Sequence, residues 1–160
     1  MNCMIRIKYW LFDYYWLLIF FLVAIAIVVL LGREESISTF VTIIGTLLSF
    51  AYFLQKQKLE ETRLFREIFK ECNARYDLMN EELELIAQKD PKNLNPAERS
   101  KVIDYLNLCG EEYLYFKLGY IEPSVWYAWQ NGMKSIVSAP SIRAIWDQEK
   151  ATGSYYDLPL

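Results

Sequence analysis

The stretch "RAIWDQ", Arg143 to Gln148, sets an arginine and a glutamine at the two ends of an Arg-x4-Gln pattern. With histidine in place of Gln148 it would be Arg-x4-His, the signature of a class of metal-independent ribonucleases. There the histidine moves a proton at the RNA 2'-hydroxyl or the leaving oxygen, and the arginine stabilises phosphate charge. Glutamine donates and accepts hydrogen bonds but does not shuttle a proton near neutral pH. The chain contains no histidine at all, so no base of that type can substitute from elsewhere. Ile142, Ile145 and Trp146 form an i, i+3, i+4 apolar set, which leaves Arg143 and Asp147 as an i, i+4 pair on a neighbouring face. The expectation is a docked helix turn in which Arg143 pairs with Asp147, or with Glu111 or Glu112 across a bundle. No catalytic residue is expected.

The absence of histidine also excludes Ser/His and Cys/His nucleophilic catalysis, His-based zinc sites and di-iron Glu-x-x-His bundles. Cys3, Cys72 and Cys109 are isolated and odd in number, which supports neither a zinc site nor a disulfide framework. They read as buried free thiols in a reducing compartment. No metal and no cofactor is expected. Glu111 and Glu112 are adjacent and so point to different parts of a helix surface; they read as a solvated face. Trp126 and Trp129 have the chemistry to stack bases, but at helical spacing beside Met133 they read as core. A net charge of −3 gives no whole-chain argument for nucleic-acid binding.

The elements that hold these residues begin in a membrane. Of the 160 residues 54% are hydrophobic and 16% aromatic while 23% are charged, so the apolar excess must be concentrated. Residues 14–31 are uninterrupted apolar residues, which at about 1.5 Å each cover roughly 27 Å of bilayer. Tyr9, Trp10, Tyr14, Tyr15 and Trp16 form an aromatic belt at one end, with Asp13 at headgroup level. The run is longer than a signal-peptide core and lacks a small-x-small cleavage site, so a retained anchor is expected. Residues 37–54 are a second uncharged segment. Its interruptions are ordered: Ser38, Thr42, Gly45 or Thr46, and Ser49 share one helix face. Such a stripe serves close helix packing or lines water. The short "GREES" joint makes a hairpin. Arg6 and Lys8 precede it and Lys56, Lys58, Arg63 and Arg66 follow, against Arg33 beside Glu34 and Glu35 in the loop. The positive-inside rule then places both termini in the cytoplasm.

Residues 55–160 read as a cytoplasmic bundle of four helices. No breaker falls between Phe40 and about Gln88 except Gly45, which predicts one long helix leaving the membrane. Phe65, Phe69, Cys72, Tyr76, Met79, Leu83 and Ile86 repeat in a 4-3 pattern, a seam facing either the core or an oligomer partner. Asn95 and Pro96 start a helix that Gly119 caps. Helices at Pro123, with Trp126, Trp129, Met133, Ile136 and Val137 inward, and at Pro140, stopping before Gly153, complete the bundle. The aromatic tail "SYYDLPL" is expected to dock on it. The fold class is all-α, a membrane hairpin continuing into a helical bundle.

The segments "DYLNLCGEEYLYFKLGYI", "VWYAWQNGM", "IRAIWDQEK" and "SYY", over about residues 100–157, resemble a family of small bacterial membrane proteins with a helical cytoplasmic domain. They are similar to the membrane accessory proteins encoded beside the RNA-guided RNase of type VI-B CRISPR loci, whose domain is described as a divergent HEPN-like bundle. The resemblance carries the family's arginine onto Arg143 and its histidine onto Gln148, a departure that removes the nuclease base. It implies a homo-oligomer in the inner membrane that boosts antiviral defence as a pore, with an RNA-guided RNase or RNA as partner. A membrane-anchored adaptor, or more remotely a tethered RNase, are the alternatives.

Overall fold

A computed structural model describes the backbone of residues 3–32 and 37–160 and the side chains of 7–28 and 38–160. The turn at 33–36, with its expected charges Arg33, Glu34 and Glu35, lies outside the described residues, as do the side chains of Cys3 and Arg6. All regular structure among the described residues is helical. In order these are α1 (Cys3–Gly32), α2 (Ile37–Asp77), α3 (Asn80–Ala87), a 3-10 turn (Pro91–Asn93), α4 (Pro96–Lys117), α5 (Pro123–Val137) and α6 (Pro140–Lys150). The chain divides into two compact units, Met1–Arg63 and Leu64–Leu160, with the boundary inside α2.

In the first unit α1 and the first part of α2 pack as an antiparallel hairpin. Tyr15 and Ile19 of α1 bury against Ala51 and Leu54 of α2. Toward the chain ends the contact turns polar. Lys58 donates from Nζ to the Phe12 carbonyl at 3.0 Å and lies 3.7 Å from the Asp13 carboxylate, while Lys8 pairs with Glu61 at 2.5 Å. Apolar bulk in the middle and ion pairs at one end match a segment whose end meets headgroups and water. Both helices are long and apolar enough to cross a membrane, with mean hydropathies of 2.3 and 1.4. Only 17% and 11% of their most apolar 18-residue windows is buried within the chain. Phe20, Phe21, Val28, Val41 and Leu48 stand exposed, a surface that water disfavours and lipid does not.

The second unit is built on local signals that the sequence carries openly. Asn95 and Glu98 form a reciprocal capping box, the Asn95 side chain accepting from the Glu98 N–H at 2.9 Å and the Glu98 carboxylate from the Asn95 N–H at 3.1 Å. At the other end of α4, Gly119 takes φ +80°. Its N–H donates to the Phe116 carbonyl at 2.9 Å and that of Tyr120 to Tyr115 at 3.0 Å. These are the two bonds of a Schellman cap, and glycine is the residue that adopts this φ without strain. Pro123 and Pro140 open α5 and α6 as expected.

One long helix to Gln88 does not form. The α-helix ends at Asp77, and α3 starts at Asn80. The Met79 N–H donates three residues back, to the Tyr76 carbonyl at 2.8 Å, and the Asn80 side chain accepts from the Glu81 N–H at 2.7 Å. Asp77 and Asn80 favour such local bonds over helix continuation. Tertiary packing holds the bend. Leu83 and Ile86 are buried, and Ser141 of α6, itself buried, donates to the Ile86 carbonyl at 2.8 Å. The bundle therefore has five helical segments: the end of α2, then α3, α4, α5 and α6.

The core of this unit collects Cys72, Met79, Leu83 and Ile86 with Leu106, Trp126, Met133, Ile145 and Trp146. The 4-3 seam thus lies largely inside the chain. Tyr76 is half-buried against the same core, Phe65 is intermediate, and Phe69 is exposed at its edge and stacked on Trp129 at 5.4 Å. α4 is covered on more than one face, burying Val102, Tyr105, Leu106, Leu108, Cys109 and Glu112. The tail docks as expected. Tyr155 and Leu158 are buried, and Gln130 donates to the Pro159 carbonyl at 3.1 Å. Gly110 makes room for this, since a Cβ there would meet the Tyr155 ring at 3.3 Å.

Candidate functional site

The Arg-x4-Gln pair is not brought together as a site. Arg143 is half-exposed and donates from Nε to Asp147 at 3.0 Å, as an i, i+4 pair on one turn of α6. Gln148 accepts from Arg99 of α4 at 2.8 Å, and Arg99 also reaches Glu149 at 3.5 Å. Each end of the motif is therefore held by a different partner. Ile142, Ile145 and Trp146 are buried, which is the docked turn expected of them.

The stripe on α2 is resolved in detail. Ser38, Thr42, Gly45, Thr46 and Ser49 are all exposed. Thr42 donates to the Ser38 carbonyl at 2.9 Å, Thr46 to Thr42 at 2.9 Å, and Ser49 to Gly45 at 2.8 Å. Such back-bonding satisfies every one of these three O–H donors within the helix, so none requires water. Nothing lies within 4 Å of a Cβ placed on Gly45. The face α2 turns to α1 runs through Ala51, Leu54, Lys58 and Glu61. At about 100° per residue, the stripe sits roughly 160° from that face. It does not serve the hairpin's own packing.

A pair of carboxylates that look alike in sequence behave differently, and the expected solvated face is wrong for one of them. Glu111 is partly exposed and binds Arg75 in two bonds, at 2.5 and 3.1 Å. Glu112, one residue on, is 8% exposed and is the only buried acidic side chain among the described residues. Among those residues no hydrogen bond reaches its carboxyl. Burial pushes it up to about 8; Arg75 pulls it down, and Glu111 adds a smaller push upward. Burial likewise raises the neighbouring Tyr105 and Cys109. Glu112 faces a pocket of about 190 Å³ whose other walls include Tyr76, Tyr105, Trp129, Gly132 and Met133. No motif marked Glu112. The available signal was α4's lack of a clean polar face, which implies cover on several sides.

Trp126 stacks on Phe116 at 5.1 Å and is fully buried, so it is core. Cys72 and Cys109 are free and buried. Among the described residues no group of acidic or thiol side chains is arranged to hold a metal ion. Compared with protein-family models, with curated proteins and with solved structures, the chain matches none.

Proposed function

We propose that the chain is an oligomeric inner-membrane effector or accessory protein, in which the hairpins of several copies associate through the stripe on α2 and perturb the bilayer as a pore. The observation that carries this reading is the stripe's position, on the side of α2 away from α1. Small residues there allow a second helix to approach closely. Their hydroxyl oxygens keep acceptor capacity after back-bonding, which suits an assembly whose inner face is wetted. The excess of lysine and arginine flanking the hairpin over that in its loop supports a cytoplasmic side for both termini and the helical bundle. A HEPN-like four-helix ancestry and a role in antiviral defence beside an RNA-guided RNase are proposed on the sequence resemblance alone. Arg143 and Gln148 have no catalytic part in this reading; each is engaged in the bundle.

Two measurements test it together: the mass of the detergent-solubilised particle and membrane depolarisation on expression. The expected result is a multimer that depolarises cells, with both properties reduced in Thr42→Leu, Thr46→Leu and Ser49→Leu. A monomeric particle, or depolarisation unchanged in all three variants, sinks the reading. A second reading, a membrane-anchored adaptor, draws support from the pocket at Glu112. Replacing residues 1–54 by an unrelated two-helix anchor separates the two, because an adaptor keeps working and a pore-former does not.

A further inference from the structure

We propose that the pocket between α2, α4 and α5 binds a small organic ammonium ion with an apolar body, and that the Glu112 carboxylate is its counter-charge. The inference is independent of the membrane reading. Glu112 is more than nine-tenths buried, without a hydrogen-bond partner, and borders the pocket. Its carboxyl oxygens are not sealed in, since the only wholly buried side-chain polar atom without a partner among the described residues is Trp146 Nε1. The carboxyl is therefore open to whatever enters the pocket, and an opposite charge there would offset the cost of its burial.

Charge selects the sign of that ligand. Around Glu112 and its pocket stand Cys72, Arg75 and Tyr76 on α2, and Tyr105, Cys109 and Glu111 on α4; the α5 wall of the pocket carries no ionisable side chain. The single cation there, Arg75, is taken up by Glu111 in two bonds. An anion is repelled, and a neutral molecule leaves the carboxyl without an opposite charge. The walls select the body. Tyr76, Tyr105 and Trp129 present rings, which attract cations by their faces, and Met133 adds soft apolar surface. A space of about 190 Å³ suits one ring or a short branched chain, given that cavities of roughly 150 Å³ admit benzene. Gly132 keeps that space open. It lies inside α5, where glycine is a poor helix former, and nothing lies within 4 Å of a Cβ built on it.

The test is calorimetric titration of the full-length protein in detergent with 2-phenylethylammonium, 3-methylbutylammonium and benzyltrimethylammonium, with 2-phenylethanol as the neutral counterpart. The expected result is saturable one-to-one binding of at least one ammonium at pH 8.5. The affinity falls at least about tenfold in Glu112→Gln, which keeps the shape and removes the charge, and in Gly132→Leu, which fills the space. In the native protein 2-phenylethanol binds at least about tenfold more weakly, and ammonium affinity drops about tenfold from pH 8.5 to 6.5 as Glu112 takes up its proton. Absence of saturable binding across the three ammonium ions overturns the proposal. So does equal binding by the native protein and Glu112→Gln, or 2-phenylethanol binding as tightly as its amine. The neutral counterpart and the pH series need only the native chain, so they decide the matter even if a variant misfolds.

Discussion

Glu112 and Arg143 mark the two extremes of what a charged residue does in this chain. Glu112 is neutral at low pH in both the folded and unfolded states, so it then adds no penalty. An unfolded glutamate titrates near 4.3, while the folded carboxyl does so at about 8. Between those values the folded state holds more protons than the unfolded one, and stability falls as pH rises. The loss starts near pH 4.5, is complete above the folded value, and amounts to something on the order of 5 kcal/mol. Thermal melts of the native chain and Glu112→Gln between pH 5 and 8.5 read this directly. The variant should lose less stability over that range and be the more stable protein at the alkaline end; parallel profiles would show that the carboxyl is not buried as described. Arg143 is the opposite case. Its side chain is 50% exposed and bound to an equally exposed Asp147. Arg143→Ala should change stability by no more than about 0.5 kcal/mol, measured by urea unfolding, because such pairs are screened by water. A loss of several kcal/mol would mean that Arg143 meets a second partner.

At the scale of the helices, what the sequence made legible is what short-range chemistry decides. Asn95 before Pro96, Gly119, Pro123, Pro140 and Gly153 all act within a few residues, and α4, α5 and α6 begin and end where those signals lie. The capping box at Asn95 is accordingly a local stake. Asn95→Ala removes the acceptor for the Glu98 N–H and should cost about 1 kcal/mol, a fall in melting temperature of about 4–8 °C for a unit of this size. An unchanged melting curve would mean that α4 is held by its packing alone. Two features stayed hidden because distant residues decide them. The break between α2 and α3 has neither proline nor glycine; Asp77 and Asn80 permit it, and it is held by the burial of Leu83 and Ile86 and by Ser141, 55 positions away, which donates to the Ile86 carbonyl. The sorting of Glu111 from Glu112 is likewise remote. Arg75, 36 positions upstream, captures the first of them, and the second is left beneath α5. Spacing along α4 alone does not say which of two adjacent glutamates has a partner. The 4-3 seam was legible as a stripe, and its burial within this chain was settled only by the bend at Asp77.

For the molecule as a whole, the sequence left the stripe of α2 as either a close helix contact or a water-lining face. Its position on the far side from Ala51 and Leu54 means that any helix packed on it belongs to another chain, and the two faces can be labelled one at a time. Cys72 and Cys109 are buried and so do not compete for oxidant. With Cys3 replaced by serine, a single new thiol at Thr46→Cys lies on the outward face, and one at Ala51→Cys lies against α1. If copies associate through the stripe, mild oxidation of native membranes cross-links Thr46→Cys into a disulfide dimer, since symmetric copies bring the same small-residue face together. Ala51→Cys stays monomeric, because α1 covers it. Electrophoresis without reductant reads both. Cross-linking at Ala51→Cys equal to that at Thr46→Cys would mean that the hairpin opens or that collisions are random. Absence of any dimer at Thr46→Cys, with the thiol shown reactive toward a small maleimide, would leave the stripe facing lipid and remove the assembly on which pore formation depends.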